Sequence, residues 1–557
     1  MTTPDNPLRR RVKELGWRRW RGPARRGRLA FVALCAVALG ACATLPPGSG
    51  FPKIESVALA HPESTRLGAK VAALASGHSG LSGFHIIAAG VDGFLARAQM
   101  IDAAEQTLDL QYFIFRGDAT GRLLTDALLR AADRGVRVRV LIDDGDTLAG
   151  DEQIVALNAH LSIQVRIFNP FAYRGHSTAR RGLEFAAHRE RLDRRMHNKL
   201  LVVDNSIALV GGRNVGDEYF QVDPDGQFAD DDVFAAGPVA RELSATFDDY
   251  WNSRFAVPAE ALAESPESSR KLAAHEARAR WHPTELVKPS ATGGADYVTR
   301  IASGEPYAGL VSGRVPLVWA PSRVVCDSPE KERVVAGSLP GQVMARDVVD
   351  RIKRVKSELL MVTPYLVPSA DELAALQDAR RRGAVVRILT NSFESSRGAL
   401  AHAGYTGFRP PLLGAGIGVY EARALVGSSR GSGQTARLSR YGTYGLHAKL
   451  FVFDEEAIFV GSMNFDKRSR HLNTEVGLII ESPELATQVS TRFRAMVQPQ
   501  NAYELVLRTD RPGGKSRLVW RTQENGQMID YAHEPGTRAW QRLAIRLLAW
   551  LPVTAEL

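Results

Sequence analysis

One unit occurs twice in this chain, and that duplication restricts the available folds more than any other feature. The segment EQTLDLQYFIFRGDATGRLLTDALLRAADRGVRVRVLIDD, Glu105–Asp144, reads as an apolar strand, a helix with periodic Leu and Ala, and a second strand after a Gly. The segment KSELLMVTPYLVPSADELAALQDARRRGAVVRILTNS, Lys356–Ser392, has the same order, and RGVRVRVL at Arg134 aligns with RGAVVRIL at Arg382, an offset of 248. Strands of Val, Ile and Leu alternating with amphipathic helices indicate βαβ units, whose crossovers lay helices over a mainly parallel sheet. The 557 residues leave room for two to four domains of ~100 to 200 residues each.

A second pair of segments repeats at nearly the same distance. RRMHNKLLVVDNSIALVGGRN, Arg194–Asn214, matches LHAKLFVFDEEAIFVGSMN, Leu446–Asn464, with His197 and His447 250 residues apart. Both keep His-x-Lys-x4-Asp and then a small-residue turn ending in Asn: Gly211, Gly212 and Asn214 in one, Gly461, Ser462 and Asn464 in the other. On a strand, residues i and i+2 share a face, so each motif sends an imidazole and an ammonium into one cleft. The neighbouring cation favours a neutral imidazole, which is a nucleophile.

Two such sites around one anion suit a phosphodiester. Lys199 and Lys449 would bind non-bridging oxygens, while one His attacks phosphorus and the other protonates the leaving oxygen. Each imidazole then needs a carboxylate to orient it. The candidates are Asp230 and Asp232 in ADDDVFAAGP and Glu475 in LNTEVGLII, with Asp232 and Glu475 preferred. Asp204 and Asp454 stand seven residues after their His, ~23 Å along an extended strand, so they belong to the framework at the strand's end. Asn214, Ser462 and Asn464 can bind phosphate or hold the turn. No His, Cys or carboxylate cluster has metal-ligand spacing, and neither a metal nor another cofactor is expected.

These residues resemble the phospholipase D superfamily, whose signature is two H-x-K-x4-D motifs followed by G-[GS]-x-N. The flanks GGRNVGDEYF and GSMNFDKRSRHLNTEVG are similar to those of bacterial cardiolipin synthases, most of all their third, C class and its lipoprotein relatives, from about His78 to Ala495. The resemblance implies two fused α/β/α sandwich domains with mixed, mainly parallel sheets, related by pseudo-twofold symmetry within a monomer. It makes His197, Lys199, Asp204, His447, Lys449 and Asp454 the catalytic set. It further implies a phosphatidyl group passed through a phosphohistidine to an alcohol, with His197 as nucleophile and His447 as acid. In the synthase branch the acceptor is a second phospholipid, and phosphatidylglycerol joined to phosphatidylethanolamine or to phosphatidylglycerol gives cardiolipin. The residues alone leave the two His equivalent. Water as acceptor would make a hydrolytic phospholipase D releasing phosphatidic acid, and a nuclease is the third reading.

The net charge of +10 invites a nucleic-acid reading until its location is considered. Met1 to Arg28 holds ten Arg or Lys against Asp5 and Glu14, a local +8, so about +2 remains elsewhere and no nucleic-acid partner is expected. The basic block precedes LAFVALCAVALGA, thirteen mostly apolar residues, too few for a bilayer that needs ~20. With LGAC at Leu39–Cys42 it reads as a lipoprotein signal, with Cys42 lipidated and the protein anchored to a membrane of the bacterial envelope, facing the periplasm. Cys326 would then be the lone thiol of the mature chain. The expected segments are a signal peptide 1–41, a tether 42–75, a first motif domain 76–255, a connector 256–312, a second motif domain 313–498 and a tail 499–557. The tail carries TRAWQRLAIRLLAWLP, an amphipathic helix suited either to a membrane surface or to docking on the protein. Basic residues ahead of the first motif, Arg180, Arg181, Arg189, Arg191, Arg194 and Arg195, could frame a headgroup pocket but read rather as a solvated loop.

Overall fold

A computed structural model describes residues 45–145, 154, 157–175, 177–222, 226–262, 309, 314–396, 398–424, 443–509 and 516–549. The signal peptide and Cys42 lie outside these residues, as does most of the connector.

The repeat becomes two large mixed sheets. In the first the strand order is Val318–Ala320, Ser82–Ile87, Asp232–Ala236, Ile207–Gly211, Lys199–Val203, Thr107–Tyr112, Arg137–Asp143, Ile163–Phe168 and Ala256–Pro258. In the second it is Ser322–Cys326, Val476–Ile480, Ala457–Gly461, Leu450–Phe453, Glu358–Val362, Val385–Asn391, Gly418–Ala422, Ala502–Arg508, Arg517–Glu524 and Gln527–Tyr531. From Ser82–Ile87 to Ala256–Pro258 the first sheet matches the second from Ser322–Cys326 to Ala502–Arg508, strand for strand. The parallel ladders sit where helices cross over, between Thr107–Tyr112, Arg137–Asp143 and Ile163–Phe168, and between Glu358–Val362, Val385–Asn391 and Gly418–Ala422. The other ladders are antiparallel because each motif strand turns straight back on itself, so the parallel share is narrower than the strand–helix alternation suggested.

The crossover helices start and stop on local signals. Asp118 accepts from the Gly121 N–H at the head of Ala119–Asp133, and Ser369 with Glu372 forms a capping box on Ala370–Arg381. Each helix ends at an Arg-Gly pair, where Gly135 (φ 93°) and Gly383 (φ 98°) adopt the left-handed turn that leads into the next strand.

Three apolar cores follow from this arrangement, and the middle one belongs to both halves. Leu200 and Val202 of the first motif strand share it with Leu450 and Val452 of the second, together with Phe247 and Trp251 of Pro238–Asn252 and Phe493 of Pro483–Met496. Leu201 and Val203 face the outer core of the first half, and Phe451 and Phe453 that of the second. The motif strands are apolar throughout because they are buried on both faces.

Several expected boundaries move. Ala256–Pro258 is the edge strand of the first sheet and Ala502–Arg508 adds to the second, so each sheet runs past the expected end of its motif domain, and a hairpin of the tail extends the second sheet further. The expected tether is clamped from residue 53 onward: Lys53 donates to the Ala256 carbonyl (3.2 Å), Ser56 N–H to Asn252 (3.2 Å) and Ala58 N–H to Asp248 (2.8 Å). Arg66–Ala75 is a helix packing Leu67 and Val71 into the first core. Short strands with Pro, and an extended strap held through its backbone, carry no hydrophobic period that could reveal them. Two arginines of the expected solvated loop are buried braces instead: Arg191 donates to Asn169 and the Pro170 carbonyl, and Arg195 to Asp143.

Asp204 and Asp454 hold the framework, as their distance from the His required. Buried Asp204 accepts the backbone N–H groups of Glu105, Gln106 and Thr107 at 2.8–2.9 Å, tying the motif hairpin to the strand beside it. Asp454 does the same for Lys356, Ser357 and Glu358 at 2.7–3.1 Å. Asp204→Ala removes a buried acceptor from three backbone donors, of which the Thr107 N–H is buried, and should destabilise the protein by roughly 3 kcal/mol, with a smaller loss for the less buried Asp454→Ala. Urea unfolding checks this, and equal losses would contradict the burial difference.

Candidate active site

Each motif His is held by the opposite half. The strand of the first motif begins at Lys199, and His197, just ahead of it, donates its N–H to the Thr474 carbonyl (2.9 Å), while the Thr474 N–H donates to Arg195 (2.9 Å). Reciprocally, His447 N–H donates to the Ala229 carbonyl (2.7 Å), where Thr443–Leu446 pairs in parallel with Gly226–Ala229. The backbone exchange brings the carboxylates with it. His197 Nδ1 lies 2.8 Å from Glu475 Oε2, and His447 Nδ1 lies 2.5 Å from Asp230 Oδ2.

Glu475 therefore stands where it was expected, but Asp232 does not. Asp232 is bound by Arg97 (2.8 Å) and Arg213 (3.1 Å) and does not orient an imidazole; Asp230 does. The chain leaves the small cross-half sheet after Ala229 and enters the main sheet at Asp232, so the strand alternation does not run through Asp230–Asp232. The two turns do reveal the equivalence. Gly212 N–H donates to the Asp231 carbonyl and Ser462 N–H to the Val476 carbonyl, both at 3.0 Å, which puts Asp230 in register with Glu475.

The turn residues divide the work. A Cβ on Gly212 would lie 2.1 Å from Asp230 Oδ1, so only Gly fits beside this carboxylate. At the equivalent position Ser462 Oγ donates to Glu475 Oε2 (2.5 Å) and accepts the Val476 N–H (3.0 Å). Asn214 holds its turn, accepting from Ile114 N–H (3.2 Å) and donating to the Tyr219 hydroxyl (2.9 Å). The Asn464 side-chain oxygen is buried without a hydrogen-bond partner, which leaves an acceptor available in the site.

Lys199 and Lys449 are both about 1 % exposed, and each donates to its own motif His carbonyl. Burial pushes the His197 imidazole well below its ordinary range, and the ammonium groups of Lys199 and Lys449 and the Arg468 guanidinium push the same way. His447 is lowered to about 3 by burial and Lys449, against the pull of Asp230. Burial also lowers Lys199, which Glu475 and Asp230 counteract, and lowers Lys449 to about 8. Burial would raise Asp230, but His447 and Lys449 overcome it and hold it below the carboxylate range; Glu475 is raised by burial against the pull of Lys199. The result is two neutral imidazoles, two desolvated lysines and two carboxylates from both halves in one cluster. An anion entering it meets positive potential undiluted by water.

Sequence reasoning missed the supports around this cluster. Phe113 lies edge-on to His197 (5.1 Å), and Tyr219 and Phe228 flank His447 (5.3 and 5.1 Å). Asp327 accepts the Glu475 N–H (3.0 Å) and pairs with buried Lys331 (2.8 Å), while Asp143 accepts the Met196 N–H (2.8 Å) ahead of His197. Arg468 pairs across the halves with Asp193 (2.6 Å). Beside it a cleft of about 660 Å³ opens between Arg189, Glu190, Asp193 and Arg194 of one half and Lys467, His471 and Leu472 of the other.

Known proteins resemble this chain in sequence and in fold. A family described as "Cardiolipin synthase, PLD-like domain" matches residues 98–251 and 348–497. Cardiolipin synthase C of Escherichia coli (strain K12) is 36% identical over 493 residues, covering 88% of this chain and 99% of that protein. An uncharacterized protein of Helicobacter pylori (strain J99) is 29% identical, over 84% of this chain and 87% of its own. The crystal structure of phosphatidylserine synthase from Haemophilus influenzae Rd KW20 superposes with a TM-score of 0.51 at 13% identity, covering 78% of this chain and 92% of that one, a likeness of fold.

The lowered Lys449 predicts a pH limb. A depressed ammonium pKa means that the cation is lost as pH rises through about 8, so kcat/KM should fall above that pH. Bound phosphodiester raises the Lys449 pKa, so the limb in kcat should lie higher. Lys449→Arg, if active, should move the limb alkaline, because a guanidinium stays charged. An unmoved limb would assign it to another group.

Proposed function

We infer that this chain, which belongs to the cardiolipin synthase, PLD-like family, is a phosphatidyltransferase that joins two phospholipids into cardiolipin through a phosphohistidine. The observation that carries this reading is the cross-half cluster: two imidazoles, each hydrogen-bonded at Nδ1 to a carboxylate of the opposite half, beside two buried lysines. With Nδ1–H donated to the carboxylate, each ring offers Nε2 to the cleft.

In the first step His197 Nε2 attacks phosphorus of the donor lipid. The P–N bond forms as the P–O bond to the headgroup breaks, and His447 gives its proton to the departing oxygen. In the second step His447 takes the proton of the acceptor hydroxyl, whose oxygen attacks phosphorus and releases His197. When the acceptor is phosphatidylglycerol, the product is cardiolipin.

Two differences between the imidazoles support this division. Three cations press on His197, and its carboxylate is shared with the Ser462 hydroxyl, both of which keep its lone pair free. His447 is paired with Asp230, a carboxylate held ionised and suited to stabilising an imidazolium. Donor phosphate neutralises the two lysines as it binds, which lets His447 take up the proton it must deliver.

No helix among the described residues is long and apolar enough to cross a membrane. Lipidation of Cys42 and anchoring in the bacterial envelope, facing the periplasm, complete the proposal, with a single chain as the working unit because both motifs are fused in it. Asn464, with its open acceptor, would contact the acceptor hydroxyl or the phosphate.

In vesicles of phosphatidylglycerol and phosphatidylethanolamine the purified chain should form cardiolipin, read by mass spectrometry; phosphatidic acid as the sole product would replace transfer with hydrolysis. His197→Ala should abolish turnover and His447→Ala should lower kcat by roughly 10²–10⁴-fold. Quenching His447→Ala in neutral denaturing detergent after mixing with donor labelled at its phosphorus should leave the labelled phosphatidyl group on the protein, and trapping in His197→Ala instead would reverse the assignment. Cys42→Ala should eliminate incorporation of labelled fatty acid into the chain, and undiminished incorporation would refute the anchor.

A further inference from the structure

The C-terminal segment is fixed to the second half by a buried polar network. Glu534 accepts from His402 (2.7 Å) and Arg409, and Arg409 Nε, the Tyr405 hydroxyl (both 2.8 Å) and Trp520 Nε1 (2.9 Å) converge on Glu421. From this anchorage the helix Ala539–Leu548 extends, packing on the helix Ala399–Thr406 and burying Ile545. Its outward face is apolar: Trp540, Leu543 and Leu547, at i, i+3 and i+7, are 64%, 58% and 64% exposed. Arg546 is exposed on the flank of that face and Arg538 at the helix's N-terminal end, and no acidic residue occurs from Thr537 to Ala549.

An outward Trp–Leu–Leu stripe bordered by arginines, with nothing acidic, matches a bilayer surface carrying anionic headgroups. A protein partner would require no such one-signed border. The position agrees too. The helix Ala399–Thr406 packs on Leu366–Val367, which pairs with Phe465–Asp466 directly after Asn464. At its head Gly398 adjoins the ring of Tyr365, which is close enough to act on Tyr219, the residue edge-on to His447. The apolar stripe is thus one helix layer away from the second-motif side of the site.

We propose that the helix Ala539–Leu548 is a membrane-contacting surface: Trp540, Leu543 and Leu547 enter the headgroup–acyl boundary of a bilayer, and Arg538 and Arg546 meet anionic phosphates. The inference rests on the reading that the substrates are bilayer phospholipids. It makes the second half a docking element in its own right, in addition to any anchor at the N-terminus.

The test uses the full chain without cysteines (Cys35→Ser, Cys42→Ala, Cys326→Ser), with an environment-sensitive dye on Leu543→Cys or, as control, on Leu161→Cys, which is 94% exposed. Vesicles of phosphatidylethanolamine with phosphatidylglycerol should shift the emission of the first dye to the blue and quench it through spin-labelled lipid, leaving the control unchanged. Identical behaviour of both dyes overturns the proposal, as does a concentration-dependent shift without vesicles, which would place a second copy on the stripe. Leu543→Ser with Leu547→Ser should raise KM for vesicle substrate roughly tenfold or more. Turnover of a dispersed short-chain phospholipid should stay the same, and a loss on both substrates would make the stripe structural. Insertion of the dye in a chain that turns over no phospholipid upholds this inference while removing the functional one.

Discussion

The exchange of hydrogen bonds between the halves is the constraint on which the rest of this structure depends. His197 is paired with Glu475 and Thr474, and His447 with Asp230 and Ala229, so neither motif has its own carboxylate. A single half would present an imidazole without an orienting carboxylate and a buried carboxylate without its imidazole. The duplication is therefore more than two copies of a working unit, since each copy completes the other. The shared apolar core, packed by Leu200, Val202, Leu450 and Val452, holds the exchange in register.

Burying two lysines, two imidazoles and two carboxylates together costs more solvation than their mutual attraction returns, and the fold must supply the difference elsewhere. The supporting shell does so through fixed dipoles and paired ions. Asp327 with Lys331 braces the Glu475 backbone, Asp143 braces Met196, and Asp204 and Asp454 fasten the motif hairpins to the neighbouring strands. A site that is electrostatically incomplete when empty gains most when an anionic phosphodiester enters.

Much of this was legible in the sequence, though unevenly. The repeat, the two motifs and the framework role of Asp204 and Asp454 could be read because they rest on spacing along one strand. The sequence does not tell Asp230 from Asp232, because the chain changes sheets between Ala229 and Asp232, and only the pairing of the two turns sets the register. Asp327 and Lys331 reach Glu475, Ser469 and Asn473, and Arg468 reaches Asp193, from far along the chain, so nothing local marks what they brace. The strap at residues 53–58 was hidden for another reason: it is held by side chains reaching its backbone, which leaves no trace in its own residue pattern.

The symmetry that makes the site is also broken within it, and the break is chemical. The first His faces a glutamate whose oxygen is shared with Ser462, whereas the second faces an aspartate set so close to the turn that Gly212 is required. One methylene more in Glu475 makes room for a hydroxyl between carboxylate and turn, and one less in Asp230 leaves Oδ2 to His447 without a second side chain on it, while Oδ1 accepts the Asp231 N–H (2.8 Å). A shared carboxylate orients an imidazole without strongly favouring its proton, which suits a group that must attack. A carboxylate held ionised, with no hydroxyl on the oxygen that faces the ring, stabilises the imidazolium, which suits a group that must deliver a proton and take it back. A transfer reaction needs both behaviours at one phosphorus. Two identical halves could not provide them, and the single exchanges of Gly212 for Ser462 and Asp230 for Glu475 are where duplicated sequence becomes differentiated chemistry.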